Sequence, residues 1–402
     1  MNMTKKILLF FFACAVAQGN ICRADNVTYK VFDVTSYGAA ADGKSDSAQA
    51  ILKAWADACA ADCGALENAK VMIPAGNFLA GPVDLQGPCK GAMVIEVNGV
   101  LIAPTDLGSF KKEWIVFRHV NGLLITGAGK IDGQGGAVWH KMKGNRLPPS
   151  VKLLSVSNAN VQSISFINSK FFHLQIGQSV SVAVTGITIS SPADSPNTDG
   201  IHVAYSTDVK ISNSTIGSGD DCISIGPGST NVTVTNVNCG PGHGISVGSL
   251  GKDKGELGVD GVYVTNCTLN GTTNGVRIKT WQDSPAINAV NMVFSDIVVN
   301  EAGNPIIIDQ EYCPGNCDND KPPSNVKISN VTFENIRGTS ASDVAISLDC
   351  SAAVPCEIIL KDINLQPLPP SPGLLPAVPL STCEHISTSS ITEGDIFPPS
   401  CF

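Results

Sequence analysis

The chain has 402 residues, of which 43% are hydrophobic and 15% charged, and its formal net charge is −9. This composition supplies a core and excludes a disordered protein, and the acidic balance argues against nucleic acid as a partner. A polyanionic ligand would need a local cluster of cations. Few aromatic residues and 39 glycines, with many Val, Ile, Thr and Asn, favour strands and turns.

Residues 1–24 have the layout of a cleaved secretory signal peptide. Lys5 and Lys6 precede an apolar run over residues 7–17, and small residues follow. That run is too short to span a bilayer, and no later segment of the sequence has membrane length. We therefore expect a secreted protein that binds no membrane, in which residues 25–402 form a single domain.

Cysteines and glycosylation sequons agree with an oxidising compartment. The sequence contains 14 cysteines, and an even number remains if cleavage removes Cys14 and Cys22. CxxC pairs typical of zinc sites are missing. Three close pairs are disulfide hypotheses: Cys222 with Cys239, Cys350 with Cys356, and Cys383 with Cys401. The Asn-X-Ser/Thr sequons fit a glycosylated secreted chain and lie at Asn26, Asn213, Asn231, Asn266, Asn270 and Asn330.

One segment near the N-terminus has helical periodicity. Its apolar residues follow the spacing i, i+3, i+4, i+7, i+8, i+11, and Ser45 or Asp46 is available as N-cap; they are Ala48, Ile51, Leu52, Trp55, Ala56 and Cys59. A single helix ahead of many strands is expected to cap the open end of a β stack, because a bare edge there would pair with other chains.

Short alternating segments then recur, with copies that start at residues 182, 209, 232, 262, 292 and 326. This repetition indicates a solenoid of stacked coils, because propeller blades need periods nearer ~40 to 45 residues and the leucine-rich pattern is missing. A recurring amide column is expected to hydrogen-bond coil to coil: Asn213, Asn236, Asn266, Asp296 and Asn330. Residues 367–379 are rich in proline and are expected to form an extended strap over the last coil.

Four turn motifs lie where apolar strand cores begin: Asn197-Thr198-Asp199-Gly200, Gly219-Asp220-Asp221-Cys222, Gly242-His243-Gly244 and Arg277-Ile278-Lys279. Aligning the strand cores puts Asp199, Asp221 and His243 in one column, with Asp220 one residue upstream. Arg277 falls in the column of His202, Ser224 and Ser246, and Lys279 lies two residues further on the same side. Stacked coils would bring these side chains to one wall.

Such a cluster allows several interpretations. An Asp in a turn is most often a turn former. Calcium needs six or more oxygen ligands and no nearby cations, and a serine nucleophile would need a G-x-S-x-G elbow that is missing. Carboxylates that repel one another suit glycoside hydrolysis, in which one acid keeps its proton and others activate water. Arg277 and Lys279 would then bind a uronic acid carboxylate.

On these four motifs, found in the same order, the sequence resembles the polygalacturonase family of pectin-degrading glycoside hydrolases. The resemblance covers about residues 31–366, including Phe32-Asp33-Val34, residues 131–135 and a block that ends at Tyr312. It implies an all-β, right-handed parallel β-helix with one N-terminal capping helix. It also implies cofactor-free and metal-free hydrolysis of α-1,4 bonds between galacturonic acids in polygalacturonan of the cell wall, with inversion. Inverting carboxyl pairs lie roughly 6.5 to 9.5 Å apart.

The resemblance also implies roles for the clustered residues. Asp220 matches the general acid, Asp199 and Asp221 match the pair that activates water, and His243 holds the state or geometry of the acid. Substrate-binding roles are implied for Arg277, Lys279, Asn197 and Tyr312. His202 is interpreted either as a sugar contact or as an ordinary polar-face residue, and His173 receives no role.

Residues 147–178 resemble plant pollen-type exopolygalacturonases, which favours exo action. We also expect a monomer. Endo action stays open. So do a lyase that acts on the same polymer with calcium, and a pectin-binding solenoid without turnover.

Overall fold

The structure is a computed structural model that describes residues 28–63, 67–110, 113–141, 147–315, 320–369 and 378–402. The predicted signal peptide, the sequon at Asn26 and most of the predicted proline-rich strap lie outside these residues. Four short 3-10 helices are described, at Val34–Tyr37, Leu107–Ser109, Gly135–Ala137 and Trp139–Lys141. No helix among the described residues is both long and apolar enough to cross a membrane.

The described residues contain one α-helix, α1 (Ala48–Ala60), and thirty strands. The strands are β1 (Thr28–Asp33), β2 (Glu67–Ile73), β3 (Asn77–Leu79), β4 (Val83–Gln86), β5 (Met93–Val97), β6 (Val100–Ile102), β7 (Ile115–Arg118), β8 (Asn121–Thr126), β9 (Lys130–Asp132), β10 (Val151–Leu154), β11 (Ser157–Gln162), β12 (Ser165–Ile167), β13 (Leu174–Gly177), β14 (Val180–Thr185), β15 (Thr188–Ser190), β16 (Ile201–Ala204), β17 (Thr207–Gly217), β18 (Ile223–Ile225), β19 (Thr230–Cys239), β20 (Ile245–Leu250), β21 (Val259–Thr265), β22 (Thr268–Asn270), β23 (Asn274–Thr280), β24 (Ile287–Ala302), β25 (Asn304–Asp309), β26 (Val326–Ser340), β27 (Val344–Asp349), β28 (Ile358–Pro367), β29 (Leu380–Glu384) and β30 (Ile391–Phe397).

These strands stack into a right-handed parallel β-helix, as predicted. They form one 19-stranded sheet and one 11-stranded sheet, in which each strand pairs in parallel with its counterpart in the next coil. The 11-stranded sheet runs in the order β4, β7, β10, β13, β16, β18, β20, β23, β25, β27, β29, and we call it the site sheet. Inward-facing Val, Ile and Leu of both sheets fill one continuous core.

The predicted repeats coincide with stacked strands. Val182 pairs with Val209, Val209 with Val232, Val232 with Val262, and Val262 with Met292. The alternation of apolar residues therefore predicted both the strands and their register for these five copies.

The sixth copy was aligned wrongly, because Met292 pairs with Val331 and not with Val326. In β26 the same alternation of buried and outward-facing residues occurs twice, at Val326–Ile328 and at Val331–Phe333. A pattern of period two cannot distinguish these two segments, so the sequence alignment was wrong by five residues.

The amide column is confirmed for Asn213, Asn236 and Asn266 but not for Asn330. Asn236 Nδ2 donates to Asn213 Oδ1 at 3.1 Å, and Asn266 Nδ2 donates to Asn236 Oδ1 at 2.5 Å. The three residues have φ of 51°, 55° and 53°, a left-handed conformation that Asn tolerates at bends. The wrong alignment explains the exception: Asn335, not Asn330, donates to the predicted column member Asp296 at 2.6 Å, and Asn330 donates to Asn291 in a separate column.

The helix α1 covers the first coil, as predicted for a cap. Ile51, Ala54 and Trp55 are buried, and Trp55 Nε1 donates to the Gln86 carbonyl at 3.0 Å. The N-cap is Ser47, so the proposed N-caps Ser45 and Asp46 were wrong by one or two residues. Asp46 lies one residue before this N-cap, and its side chain accepts from the Ala48 amide at 2.9 Å. The side-chain hydrogen bond at the start of the helix therefore comes from the residue before the N-cap and not from Ser47.

The three proposed disulfides, Cys222–Cys239, Cys350–Cys356 and Cys383–Cys401, are confirmed. A fourth, Cys59–Cys89, ties the end of α1 to the loop after β4. Cys63 and Cys267 are free thiols.

Candidate active site

Seven of the eight predicted site residues lie on four neighbouring strands of the site sheet or in the turns that lead into them, and Tyr312 follows the next strand, β25. Ile201, Ile223 and Ile245 are the first residues of β16, β18 and β20 and pair in register. Ile245 pairs in turn with Val276 of β23. Because Asp199, Asp221 and His243 each lie two residues before these isoleucines, the column inferred from the sequence exists in the structure.

The turns themselves are fixed by hydrogen bonds between coils. Thr198 is fully buried, and its Oγ1 accepts from the Gly219 amide at 3.0 Å and donates to the Ser195 carbonyl at 3.0 Å. A Cβ on Gly219 would lie 2.0 Å from that carbonyl oxygen, so the turn requires glycine there. Thr198 thereby sets the position of Asp199 relative to the Asp220 turn.

Asp221 is held by two cations and one serine, which we call the Asp221 arm (Asp221, Ser246, Arg277, Lys279). Its Oδ2 accepts from Lys279 Nζ at 2.7 Å, and its Oδ1 accepts from Arg277 Nη2 at 2.7 Å and Ser246 Oγ at 2.8 Å. Arg277 Nε also donates to Ser246 Oγ at 3.0 Å. Burial acts to raise the pKa of Asp221, but Lys279 and Arg277 outweigh burial and hold that pKa below its usual value.

Asp199 has a different environment, the Asp199 arm (Asp199, Ser224, His202). Its Oδ2 accepts from Ser224 Oγ at 2.6 Å, and Ser224 Oγ lies 2.7 Å from His202 Nδ1. Burial, and then the neighbouring Asp220 and Asp221 carboxylates, raise the pKa of Asp199 well above its usual value. Asp199, which binds neither Lys279 nor Arg277, is therefore harder to ionise than Asp221.

Asp220 is the most accessible of the three carboxylates, with 23% of its side chain exposed against 2% for Asp221. Its Oδ1 accepts from the Asp221 amide at 2.8 Å and lies 3.1 Å from His243 Nδ1. The His243 amide donates to the Asp220 carbonyl at 2.7 Å, so main chain and side chain both join the two residues. Asp220 can reach a ligand while His243 fixes its orientation.

The aspartates open into a groove of about 900 Å³. Asn197 and Tyr312, both predicted to bind substrate, line this groove together with Lys279. Lys279 Nζ lies 5.2 Å from the centre of the Tyr312 ring, a cation–π distance. All eight predicted site residues therefore lie at or beside one groove; these are Asn197, Asp199, Asp220, Asp221, His243, Arg277, Lys279 and Tyr312.

This arrangement lets the cluster retain a proton where a lone aspartate would lose it. Three neighbouring carboxylates repel one another, which favours protonation of one of them. The proton will not reside on Asp221, because that carboxylate binds two cations. It is left to Asp199 and Asp220, which both line the groove, and Asp220 is the more exposed of the two.

One group of potential metal ligands lies in the described residues, formed by Asp220, Asp221 and His243 within 4.8 Å of one another. Both Asp221 oxygens already accept from Lys279 or Arg277. These positive charges oppose a metal cation, and the group offers too few oxygens for calcium. The donor set therefore suits proton transfer better than metal binding.

Sequence reasoning missed three residues around the aspartates. Ser224 and Ser246 stood in the aligned columns but were given no role, because serine is common on polar strand faces. His173 is fully buried. Its Nδ1 lies 3.0 Å from the Asp199 carbonyl and its Nε2 lies 2.8 Å from Ser191 Oγ. No sequence signal distinguished His173, which lies in an earlier coil.

Comparison with known proteins agrees with this geometry. Residues 63–376 match the model of the glycosyl hydrolases family 28. The chain is 44% identical over 345 residues to an exopolygalacturonase of Zea mays, covering 83% of both chains. It is 45% identical over 346 residues to one of Platanus acerifolia, covering 84% of this chain and 90% of the other. The fold is similar to that of an exopolygalacturonase from Thermotoga maritima, with a TM-score of 0.72, 20% identity and coverage of 86% and 89%. The chain belongs to glycosyl hydrolases family 28.

Proposed function

We propose that the chain hydrolyses the α-1,4 bonds of polygalacturonan, with inversion and from the chain ends. The observation that carries this proposal is the groove in which Asp199 and Asp220 lie beside an Asp221 that is bound by Arg277 and Lys279. Inverting glycoside hydrolysis uses one protonated and one ionised carboxyl group, and the two cations suit the carboxylate of a uronic acid substrate.

Each group has a distinct role in this reaction. Asp220 donates its proton to the leaving glycosidic oxygen, because it is the accessible acid and His243 orients it. Asp221 and Asp199 bind and deprotonate the attacking water from the opposite face of the sugar. Lys279 and Arg277 attract the substrate carboxylate, with Tyr312 and Asn197 as further contacts.

Exo action is supported by the curated relatives, since those of Zea mays and Platanus acerifolia are named exopolygalacturonases and match over more than four fifths of this chain. An extracellular location is supported by the disulfides Cys59–Cys89, Cys222–Cys239, Cys350–Cys356 and Cys383–Cys401. We propose that the chain is secreted into the cell wall and acts there as a monomer without a cofactor.

The test is to digest polygalacturonate and to follow the products with time. Galacturonic acid from the first time point indicates exo action, and a spread of oligomers indicates endo action. Inversion predicts that the β-anomer appears first in the proton NMR spectrum. An unsaturated product that absorbs in the ultraviolet would identify a lyase instead.

Asp220→Asn supplies the matched control. This variant should lose about 100- to 10,000-fold in kcat, because general acid catalysis is removed while the side-chain shape is kept. Circular dichroism and the melting temperature should stay unchanged. If the wild type binds pectin but produces no new reducing ends, the chain is a pectin-binding solenoid without turnover, and the hydrolase proposal is wrong.

A further inference from the structure

His202 lies in the groove beside the aspartates, on β16. Its ring stacks on Phe172, with centroids 4.5 Å apart and an interplanar angle of 22°. Phe172 in turn stacks on Phe171 at 3.9 Å. The imidazole is thus held by an aromatic stack that leaves little rotational freedom.

Ser224 links this imidazole to the Asp199 carboxylate. Ser224 is almost fully buried, and its Oγ lies 2.6 Å from Asp199 Oδ2 and 2.7 Å from His202 Nδ1. A hydroxyl has one proton to donate, so a Ser224 that donates to an ionised Asp199 must accept from Nδ1–H of His202. The three groups then form a directional chain that ends on the carboxylate.

The Asp221 arm repeats this construction with a different end group. His202, Ser224, Ser246 and Arg277 pair in register across four strands. Arg277 Nε donates to Ser246 Oγ, and Ser246 Oγ donates to Asp221. His202 therefore contacts Ser224 as Arg277 contacts Ser246, although His202 lies on the strand that follows its own aspartate and Arg277 lies on the strand beyond its serine.

We propose that His202 is a positioning residue of the hydrolysis, which acts through Ser224 to hold the Asp199 carboxylate oriented toward the attacking water. This inference rests on the proposed function. The groups that face Asp199 are Asp220 and Asp221, which repel its charge, and Lys279, which attracts it. The donor chain from His202 adds a hydrogen bond to this attraction.

Three variants separate the donor from the stack. His202→Phe keeps an aromatic ring on Phe172 and removes the donor, whereas His202→Asn places an amide N–H near the Nδ1 position and removes the stack. Ser224→Ala breaks the chain at its centre. We expect His202→Phe and Ser224→Ala each to lower kcat about 10- to 100-fold with little change in KM, and His202→Asn to retain more of the activity.

The double variant His202→Phe with Ser224→Ala decides between positioning and direct sugar contact. In a positioning chain the double variant is no slower than either single variant, because the first change has already broken the chain. The pH profile of kcat should also shift in the same direction in both single variants. A sugar contact would raise KM, give losses that multiply and leave the profile in place, and any of these results overturns the proposal.

A second measurement does not depend on turnover. The ¹⁵N spectrum of histidine-labelled protein should show His202 as the Nδ1–H tautomer above the pKa of Asp199, and Ser224→Ala should shift its Nδ1 resonance. An Nε2–H tautomer under those conditions overturns the inference even if hydrolysis is observed. If the wild type has the expected tautomer but does not hydrolyse polygalacturonate, the proposed function is wrong. The hydrogen-bond chain from His202 to Asp199 is then still supported.

Discussion

The two arms of the site use one construction and give opposite results. In both, a carboxylate accepts from a buried serine of the next strand, and that serine contacts a side-chain nitrogen in the same column, of His202 in one arm and of Arg277 in the other. Asp221 also binds Arg277 and Lys279 directly, and its pKa is lowered, whereas that of Asp199 is raised. Both carboxylates are buried. The sign of the pKa shift is therefore set by the cations that each arm contains, not by depth.

The largest expected effect is a difference in stability between two single variants, each of which removes the carboxylate charge of one arm. Asp221→Asn leaves Arg277 and Lys279 buried without their anion, and should lower the free energy of unfolding at pH 7 by about 3 to 5 kcal/mol. Asp199→Asn removes a repelled charge, and should leave stability unchanged or higher at that pH. Urea denaturation of both variants measures the difference. Equal losses would contradict the comparison between the arms.

The second effect concerns Lys279. Lys279→Met keeps most of the side-chain volume and removes the charge, so kcat/KM should fall about 100-fold or more. The pKa of Asp221 should rise, and the acidic limb of the pH profile should move to higher pH. Lys252→Met is the matched control, since Lys252 lines the same groove but lies over the Trp281 ring at 5.1 Å. A shift of the limb in the control as well would exclude a specific role for Lys279.

A third effect lies behind the Asp199 arm, at His173. Burial lowers the pKa of this imidazole to about 4, against about 6.5 in an unfolded chain. The unfolded state therefore binds a proton first as the pH falls, so His173 removes about 1.4 kcal/mol of stability per pH unit between about 6.5 and 4.

The measurement for His173 is melting temperature against pH. His173→Asn keeps a donor near Nδ1 but does not titrate, so its stability should fall less steeply with acid than that of the wild type. The same change at His140, which is exposed, should keep the wild-type slope. Identical slopes for all three proteins would refute the assignment to His173.

The smallest effect is expected at the base of the aromatic stack. Phe172→Leu loosens the support of His202 but leaves every hydrogen bond of the Asp199 arm possible, so kcat should fall only about 2- to 10-fold. The melting temperature and the Asp221-dependent acidic limb should not move. A loss as large as that of Ser224→Ala would mean that the stack, and not the donor, positions the arm.

Much of this site could be predicted because the period of two in a strand fixes which residues share a face. Apolar cores at Ile201, Ile223 and Ile245 were enough to stack Asp199, Asp221 and His243 in one column. Recognising the family motifs then added roles that spacing alone could not supply. The disulfides were predictable where two cysteines lie close in sequence, as Cys350 and Cys356 do.

The remaining features depend on contacts between neighbouring coils whose residues are distant in sequence, and local pattern contains no signal for such contacts. The link from His202 through Ser224 to Asp199 exists because the coils pair in that register, and Ser224 looks like any polar-face serine. His173 and the Cys59–Cys89 bond have the same origin. The slip at Val326 has the opposite cause, since two equally good local patterns compete there.

The stacked coils have a further consequence for how such a protein can diversify. The segments that join the strands differ in length between repeats, while Ile201, Ile223, Ile245 and Val276 stay in register across β16, β18, β20 and β23. Insertions in those segments can reshape the rim of the groove and change which sugars enter, without displacing any reacting group. Substrate range and bond-breaking machinery are thereby free to evolve independently.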